Sequence, residues 1–417
     1  MRRIIANVGL VVVSLMVAIL LAEIALRLLG ITHPVFMAYD PVRGFSANRP
    51  GAKGWFTDEG RAYVTINSAV LRDREHDLEK PHGTIRIAVL GDSFAAALQV
   101  EMENAFWSVM ERELEKCDTL QGRKIEVINF GVSSYGTGLE WLTLQKQAWR
   151  FDPDIVLLAF LTGNDIRNNS FALEQSPVWY YFSLRGDSLV LEPPRSNPTS
   201  GVRQLLGVSL HDFLLDHSRI LQLVMHYRAV NQEAAQIKRI SSDSIEAGLD
   251  NQVYREPQDE NWRSALEITE AIIRAMNREV GARGKVLFVA TLSKGMQVHP
   301  DRNERSVFTK RLEVTDLLYP DRRIIDLART ERIPSGMLVP ELLDWAERNP
   351  SCVHGFQNAT SCGGHWNQHG HRVAGEILAR EICAQVLSTD EVRQTASNCG
   401  MARHLRSTLI GHLNASI

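Results

Sequence analysis

The residues Ile87-Ala88-Val89-Leu90 form an apolar run that stops abruptly at Gly91-Asp92-Ser93, and this break constrains the fold more than any other feature of the chain. A strand buried on both faces of a parallel sheet reads as a continuous apolar run, and open α/β sheets bind ligands at the carboxyl ends of such strands. Ser93 stands at that point. Taken alone, Gly-Asp-Ser also reads as the N-cap of a following helix. Two further runs end in the same way: residues 125–130 lead into Gly131-Val132-Ser133, and 154–160 lead into Leu161-Thr162-Gly163-Asn164-Asp165. Far downstream, His365-Trp366-Asn367-Gln368-His369-Gly370-His371 reads as the opening of a helix with Val373, Ala374, Ile377 and Leu378 on one face. These segments supply a hydroxyl, two candidate donors for a developing negative charge, and a base.

In this order Ser93, Gly131, Asn164 and His365 resemble the four blocks of the SGNH (GDSL-type) hydrolases, over roughly residues 85 to 388. The competing elbow Gly-x-Ser-x-Gly is absent because Ala95 fills its last position. The resemblance implies a flavodoxin-like three-layer α/β/α sandwich around a central, mainly parallel sheet. It also implies Ser93 as nucleophile, His365 as general base, and an oxyanion hole of Ser93 N–H, Gly131 N–H and the Asn164 amide. A serine hydroxyl needs such a base, and donors aimed at the oxyanion contribute about 2.7–4 kcal/mol each. The chain departs from the family at one place. An Asp normally precedes the base by two or three residues, where this sequence has Gly363 and Cys362. Three readings follow: a backbone carbonyl orients His365, an acid comes from elsewhere, or catalysis has been lost. Losing the acid of a triad costs around 10⁴ in turnover.

Cys352, His354, Cys362, His365, His369 and His371 crowd the same region. Their spacing matches no regular Cys₂His₂ or Cys₄ pattern, so the expectation is no metal and no cofactor, with a Cys352–Cys362 disulfide closing a short loop before the base. Such a bridge contributes about 3 kcal/mol on loop-entropy grounds. Five cysteines allow at most two bridges, and Cys117, Cys383 and Cys399 show no obvious pairing.

After Met1-Arg2-Arg3, an apolar stretch from Ile4 to Leu29, broken chiefly by Glu23 and Arg27, is long enough to span a bilayer. A cleaved signal peptide would have an apolar core of about 7–15 residues, so an uncleaved anchor is the better reading. Arg2 and Arg3 would stay in the cytoplasm by the positive-inside rule, leaving the rest outside the inner membrane, in the periplasm or its equivalent. Glu23 and Arg27 would pair at the exit. The 46 basic and 49 acidic residues nearly cancel, and no basic patch interleaved with aromatics points to nucleic acid.

The domain organisation reads as 1–3 cytoplasmic, 4–29 anchor, 30–84 a tether with a small β-rich lead-in, 85–388 the hydrolase domain, and 389–417 a polar tail. The lead-in, with Ile66-Asn67-Ser68 and Leu71-Arg72, resembles that of membrane-anchored bacterial SGNH proteins. Helices are expected at about 103–116, 138–150, 262–282 and 370–387, and further strands at 285–290 and 323–327. An insertion at 168–258 should overhang the site. It carries a hairpin from Trp179-Tyr180-Tyr181-Phe182 to Leu189-Val190-Leu191, then an apolar helix from Leu210 to about Val230. The hairpin aromatics either stack on sugar rings or pack on their own domain. The function implied is an ester hydrolase acting on O-acetyl or similar groups of an envelope or exported polysaccharide, or on another small ester. An O-acetyltransferase using the same site, and a degenerate domain that binds glycan or a membrane partner, are the alternatives.

Overall fold

The computed structural model describes residues 2–40, 43–196, 208–240 and 250–388. The expected tail at 389–417, and Cys399 with it, lies outside the described residues. A first helix, Arg2–Leu28, stands clear of the rest over most of its length and is long and apolar enough to cross a membrane.

The lead-in forms two antiparallel ribbons. Strand β1 (Met37–Asp40) pairs with β2 (Phe45–Asn48), and β3 (Lys53–Phe56) pairs with β4 (Ala62–Thr65). The central sheet follows: β5 (Thr84–Gly91), β6 (Lys124–Asn129) and β7 (Ile155–Leu161). A hairpin of β8 (Tyr181–Arg185) and β9 (Ser188–Glu192) interrupts before β10 (Val286–Leu292) and β11 (Ser335–Met337) complete the sheet. The order β6-β5-β7-β10-β11 is all parallel, the flavodoxin-like doubly wound arrangement, with its switch point beside the carboxyl end of β5. A last small ribbon joins β12 (His354–Gly355) to β13 (Ser361–Trp366).

Alternation along the strands explains the three layers. Ile87, Val89, Leu157, Ala159 and Phe288 face one side, under the helices Phe106–Leu114, Val339–Arg348 and Gln368–Ile382. Ala88, Leu90, Val156, Leu158 and Val289 face the other, under Glu260–Ala282 and Tyr319–Thr330. Both faces are covered, which is why these strands read as unbroken apolar runs rather than alternating ones.

Two expectations need correction. Residues 323–327, expected as a strand, lie inside the helix Tyr319–Thr330. Pro320, Ile324, Leu327 and Ala328 recur at helical spacing and bury one stripe, while Arg323 bonds Glu270 of the neighbouring helix. The fifth strand is the shorter β11. The apolar helix expected from Leu210 is two helices, Val208–His217 and Arg219–Ile240, broken at Ser218, whose Oγ accepts the Leu221 N–H. The hairpin packs on its own domain: Tyr181 and Phe182 are buried, and Phe182 stacks on Trp141 at 5.2 Å.

A second disulfide, unforeseen, joins Cys117 to Cys383. It ties the turn before β6 to the end of the helix that follows β13.

Candidate active site

Strand β5 ends at Gly91, and Asp92 caps the short helix Ser93–Ala96 by accepting the Phe94 N–H at 2.9 Å. The cap is what turns Ser93 outward at the lip of the sheet. His365 does not open a helix as expected. It lies on β13, one residue before the strand ends, and Asn367 caps the following helix through Oδ1. Its Nε2 is 2.8 Å from Ser93 Oγ.

The group that orients His365 is Glu59, in the turn between β3 and β4, 306 residues away in the chain. Glu59 Oε2 bonds the imidazole Nδ1, and Oε1 accepts the backbone N–H of His365 at 2.8 Å. A carboxylate can only accept here, so Nδ1 carries the hydrogen and Nε2 presents its lone pair to the Ser93 hydroxyl. Burial raises the Glu59 pKa, but its bonds to His365 outweigh that and hold it below the ordinary range. Glu59 therefore stands where the second of the three readings left open by Gly363 and Cys362 would place an acid from elsewhere in the chain.

Two glycines let the acid approach. Gly364 has φ +72°, and a Cβ there would collide with Glu59 Oε1. Gly60 has φ +71°, and a Cβ would come within 2.5 Å of Gln99 O. The turn is also gripped from the base's side of the site: Asn358 accepts the Gly60 N–H at 2.9 Å and donates to Thr57 O at 3.0 Å. Asn358 belongs to the loop closed by the disulfide between Cys352 and Cys362. The bridge therefore holds the loop that holds the acid, rather than substituting for an acid.

On the other flank, Asn164 Nδ2 donates one hydrogen to Asp92 Oδ2 at 3.0 Å, leaving its second for a ligand. Asp92 is fully buried, which raises its pKa. Ser93 N–H has no partner among the described residues. Gly131 differs from expectation. Its N–H is donated to Asn129 Oδ1 at 2.9 Å, so this donor is engaged within the protein. Asn129 is itself fixed, donating through Nδ2 to Arg72 O and Ala95 O and through its N–H to Asp73. Gly131 still requires glycine, because a Cβ would strike Ala95.

The remaining histidines of the crowded segment each have a separate place. His354 donates from Nδ1 to Gly364 O at 2.7 Å and accepts from Ser293, whose Oγ also accepts the Trp366 N–H. Burial pushes its pKa down to about 4, so the ring is neutral and locks β13 in position. His371 is buried and accepts the Phe106 N–H, and His369 stacks on Trp345.

The four blocks and a flavodoxin-like sheet thus meet at one edge, with hydroxyl, imidazole and carboxylate in line. The chain has a flavodoxin-like doubly wound α/β fold, the fold that the resemblance to SGNH hydrolases implies. Among solved structures it is similar to a G-D-S-L family protein from Desulfitobacterium hafniense, with 11% identity, 71% of this chain and 98% of the other covered, and a TM-score of 0.33. It is similar to the acetyl xylan esterase AlAXEase at 12% identity, covering 72% of this chain and 100% of the other, with a TM-score of 0.36. Axe2, an acetylxylan esterase from Geobacillus stearothermophilus, matches at 12% identity over 72% and 94% of the two chains, TM-score 0.36. No family model and no curated protein matches the sequence.

The residue that sequence reasoning missed is Glu59. Thr57-Asp58-Glu59-Gly60 reads as an ordinary polar turn, and nothing local marks it. Only the missing Asp near His365 hinted that an acid had to arrive from another segment.

Proposed function

We propose that this chain is a serine ester hydrolase held at the outer face of the inner membrane by its N-terminal helix. The single observation that carries the reading is the line Glu59–His365–Ser93, with Ser93 N–H and an Asn164 N–H beside it. The Ser93 Oγ–H proton passes to His365 Nε2 as Oγ attacks the ester carbonyl carbon. Negative charge develops on the carbonyl oxygen, where the Ser93 and Asn164 donors can meet it. Collapse expels the alcohol, which takes the proton from His365. Water then attacks the acyl-serine by the same route, restoring Ser93 and releasing the acid. Glu59 stays ionised throughout, holding the tautomer and balancing the imidazolium. The acyl group we assign is acetyl or a similar small ester of an envelope or exported polysaccharide.

Membrane attachment is supported by how the first helix meets the insertion. Glu23 accepts the N–H groups of Arg219 and Ile220, capping the helix Arg219–Ile240, and Arg27 bonds the His217 carbonyl at the end of the preceding helix. Phe213 and Tyr227 on these helices are 54% and 68% exposed, an apolar face beside the end of the span. With Arg2 and Arg3 inside, the site lies outside the cytoplasm.

The test is hydrolysis of p-nitrophenyl acetate together with fluorophosphonate labelling, wild type against Ser93→Ala. Labelling and turnover that both vanish in a folded variant are expected, since only an activated serine attacks such reagents. Equal labelling of the variant would overturn the nucleophile.

A further inference from the structure

Three segments that are distant in sequence bring His33, Asp58 and His226 together: the tether, the β3–β4 turn, and the insertion helix Arg219–Ile240. Their nitrogen and carboxylate ligand atoms all lie within 4.8 Å of one another. His33 Nδ1 is 3.6 Å from Asp58 Oδ1, and His226 Nδ1 is 3.7 Å from Asp58 Oδ2. The two imidazoles stack with centroids 3.8 Å apart and planes 16° from parallel. We infer that His33, Asp58 and His226 form a divalent-cation site, best suited to Zn²⁺.

An imidazole nitrogen donates in its ring plane, so binding one ion asks one of the two stacked rings to turn out of the stack. Two imidazoles stacked this closely repel if both are protonated, so the cluster offers two nitrogens and a carboxylate around a single negative charge. Imidazole nitrogen with carboxylate oxygen is a donor set that zinc accepts. Tetrahedral bonds of about 2.0–2.1 Å place neighbouring donors about 3.3–3.4 Å apart. The imidazole nitrogens lie 3.6 and 3.7 Å from the two different oxygens of Asp58, and the whole set lies within 4.8 Å, so the donors reach this spacing through small turns of the side chains.

The cluster also has room for a fourth ligand. All three residues line one cavity of about 350 Å³, together with Phe36, Trp55 and Met225. Three protein ligands leave one coordination position open, which water or a substrate oxygen can fill from that cavity. The site's place gives it a consequence: Asp58 is chain neighbour to Glu59, so a bound ion ties the insertion helix and the tether to the turn that supplies the catalytic acid.

The experiment uses the full-length protein in detergent, without a polyhistidine tag, stripped with a chelator and titrated with Zn²⁺ alone. Metal retained after dialysis is measured by mass spectrometry, and the melting temperature is followed in parallel. One zinc per chain at micromolar free metal is expected, with a rise in melting temperature. His226→Ala and His33→Ala should each weaken binding at least 100-fold, whereas His369→Ala should not. Fluorophosphonate labelling of Ser93 reports that each variant is folded. If His226→Ala fails to fold, Asp58→Asn takes its place with the same expected loss. Wild type that retains no zinc, or variants that retain as much as wild type, would overturn the site.

Discussion

Replacing Glu59 by Gln keeps the size of the side chain and removes one acceptor, which makes it the sharpest probe of the triad. Both carboxylate oxygens are used, one by the His365 N–H at 2.8 Å and one by the imidazole Nδ1. An amide has only one oxygen. If it faces the backbone N–H, its NH₂ faces Nδ1, the imidazole hydrogen moves to Nε2, and Ser93 loses its base. If it faces Nδ1, the NH₂ confronts the backbone N–H, and a mostly buried donor goes unpaired at a cost of about 1–3 kcal/mol. Either way the imidazolium formed in the transition state loses its counter-charge. The comparable loss in a serine triad is ~10⁴ in kcat, and ~10³–10⁴ here corresponds to about 4–5.5 kcal/mol of barrier. The assay is p-nitrophenyl acetate hydrolysis at pH 7–8, with circular dichroism to confirm folding. KM should change little, because Glu59 does not touch the ester. Gly364→Ala, which drives a Cβ into Glu59 Oε1, should lower kcat in the same direction. A Glu59→Gln enzyme within about threefold of wild type would refute the assignment of Glu59 as the acid.

Asn164→Ala should lower kcat by about 10²–10³ through loss of an oxyanion donor, and a change confined to KM would place Asn164 in substrate binding instead. It should also reduce stability, because the buried Asp92 Oδ2 loses its partner. His76 lies between Asp73 and Glu126, at 3.2 and 2.7 Å; burial opposes its charge, but the two carboxylates prevail and raise its pKa from 6.5 to about 9. Its contribution is therefore full below about pH 6.5 and lost as pH rises to about 9, so His76→Gln should flatten the alkaline decline in melting temperature seen in wild type. The disulfide between Cys117 and Cys383 spans 266 residues and should contribute about 5 kcal/mol at most, so Cys117→Ser should lower the melting temperature. A variant that melts with wild type would show that the bridge does not stabilise the native protein.

What the sequence determined by itself was whatever local periodicity encodes. Strands covered on both faces must be continuously apolar, so β5, β6, β7 and β10 and the sheet class were legible, as were Ser93 and Asn164 just beyond strand ends, whereas the strand that carries His365 was read as the start of a helix. A pair of β-branched residues such as Ile324-Ile325 carries no such periodicity, and there the burial of a helical stripe prevailed over strand propensity. Tertiary structure alone decided what depends on two distant segments meeting. Glu59 and His365 are 306 positions apart, and no spacing rule connects a ribbon turn to a strand that docks beside it only after the sheet has formed. The pairing of Cys117 with Cys383 and the meeting of His33, Asp58 and His226 have the same cause. Each is fixed by where packed elements come to rest, and side-chain pattern along the chain holds no record of that.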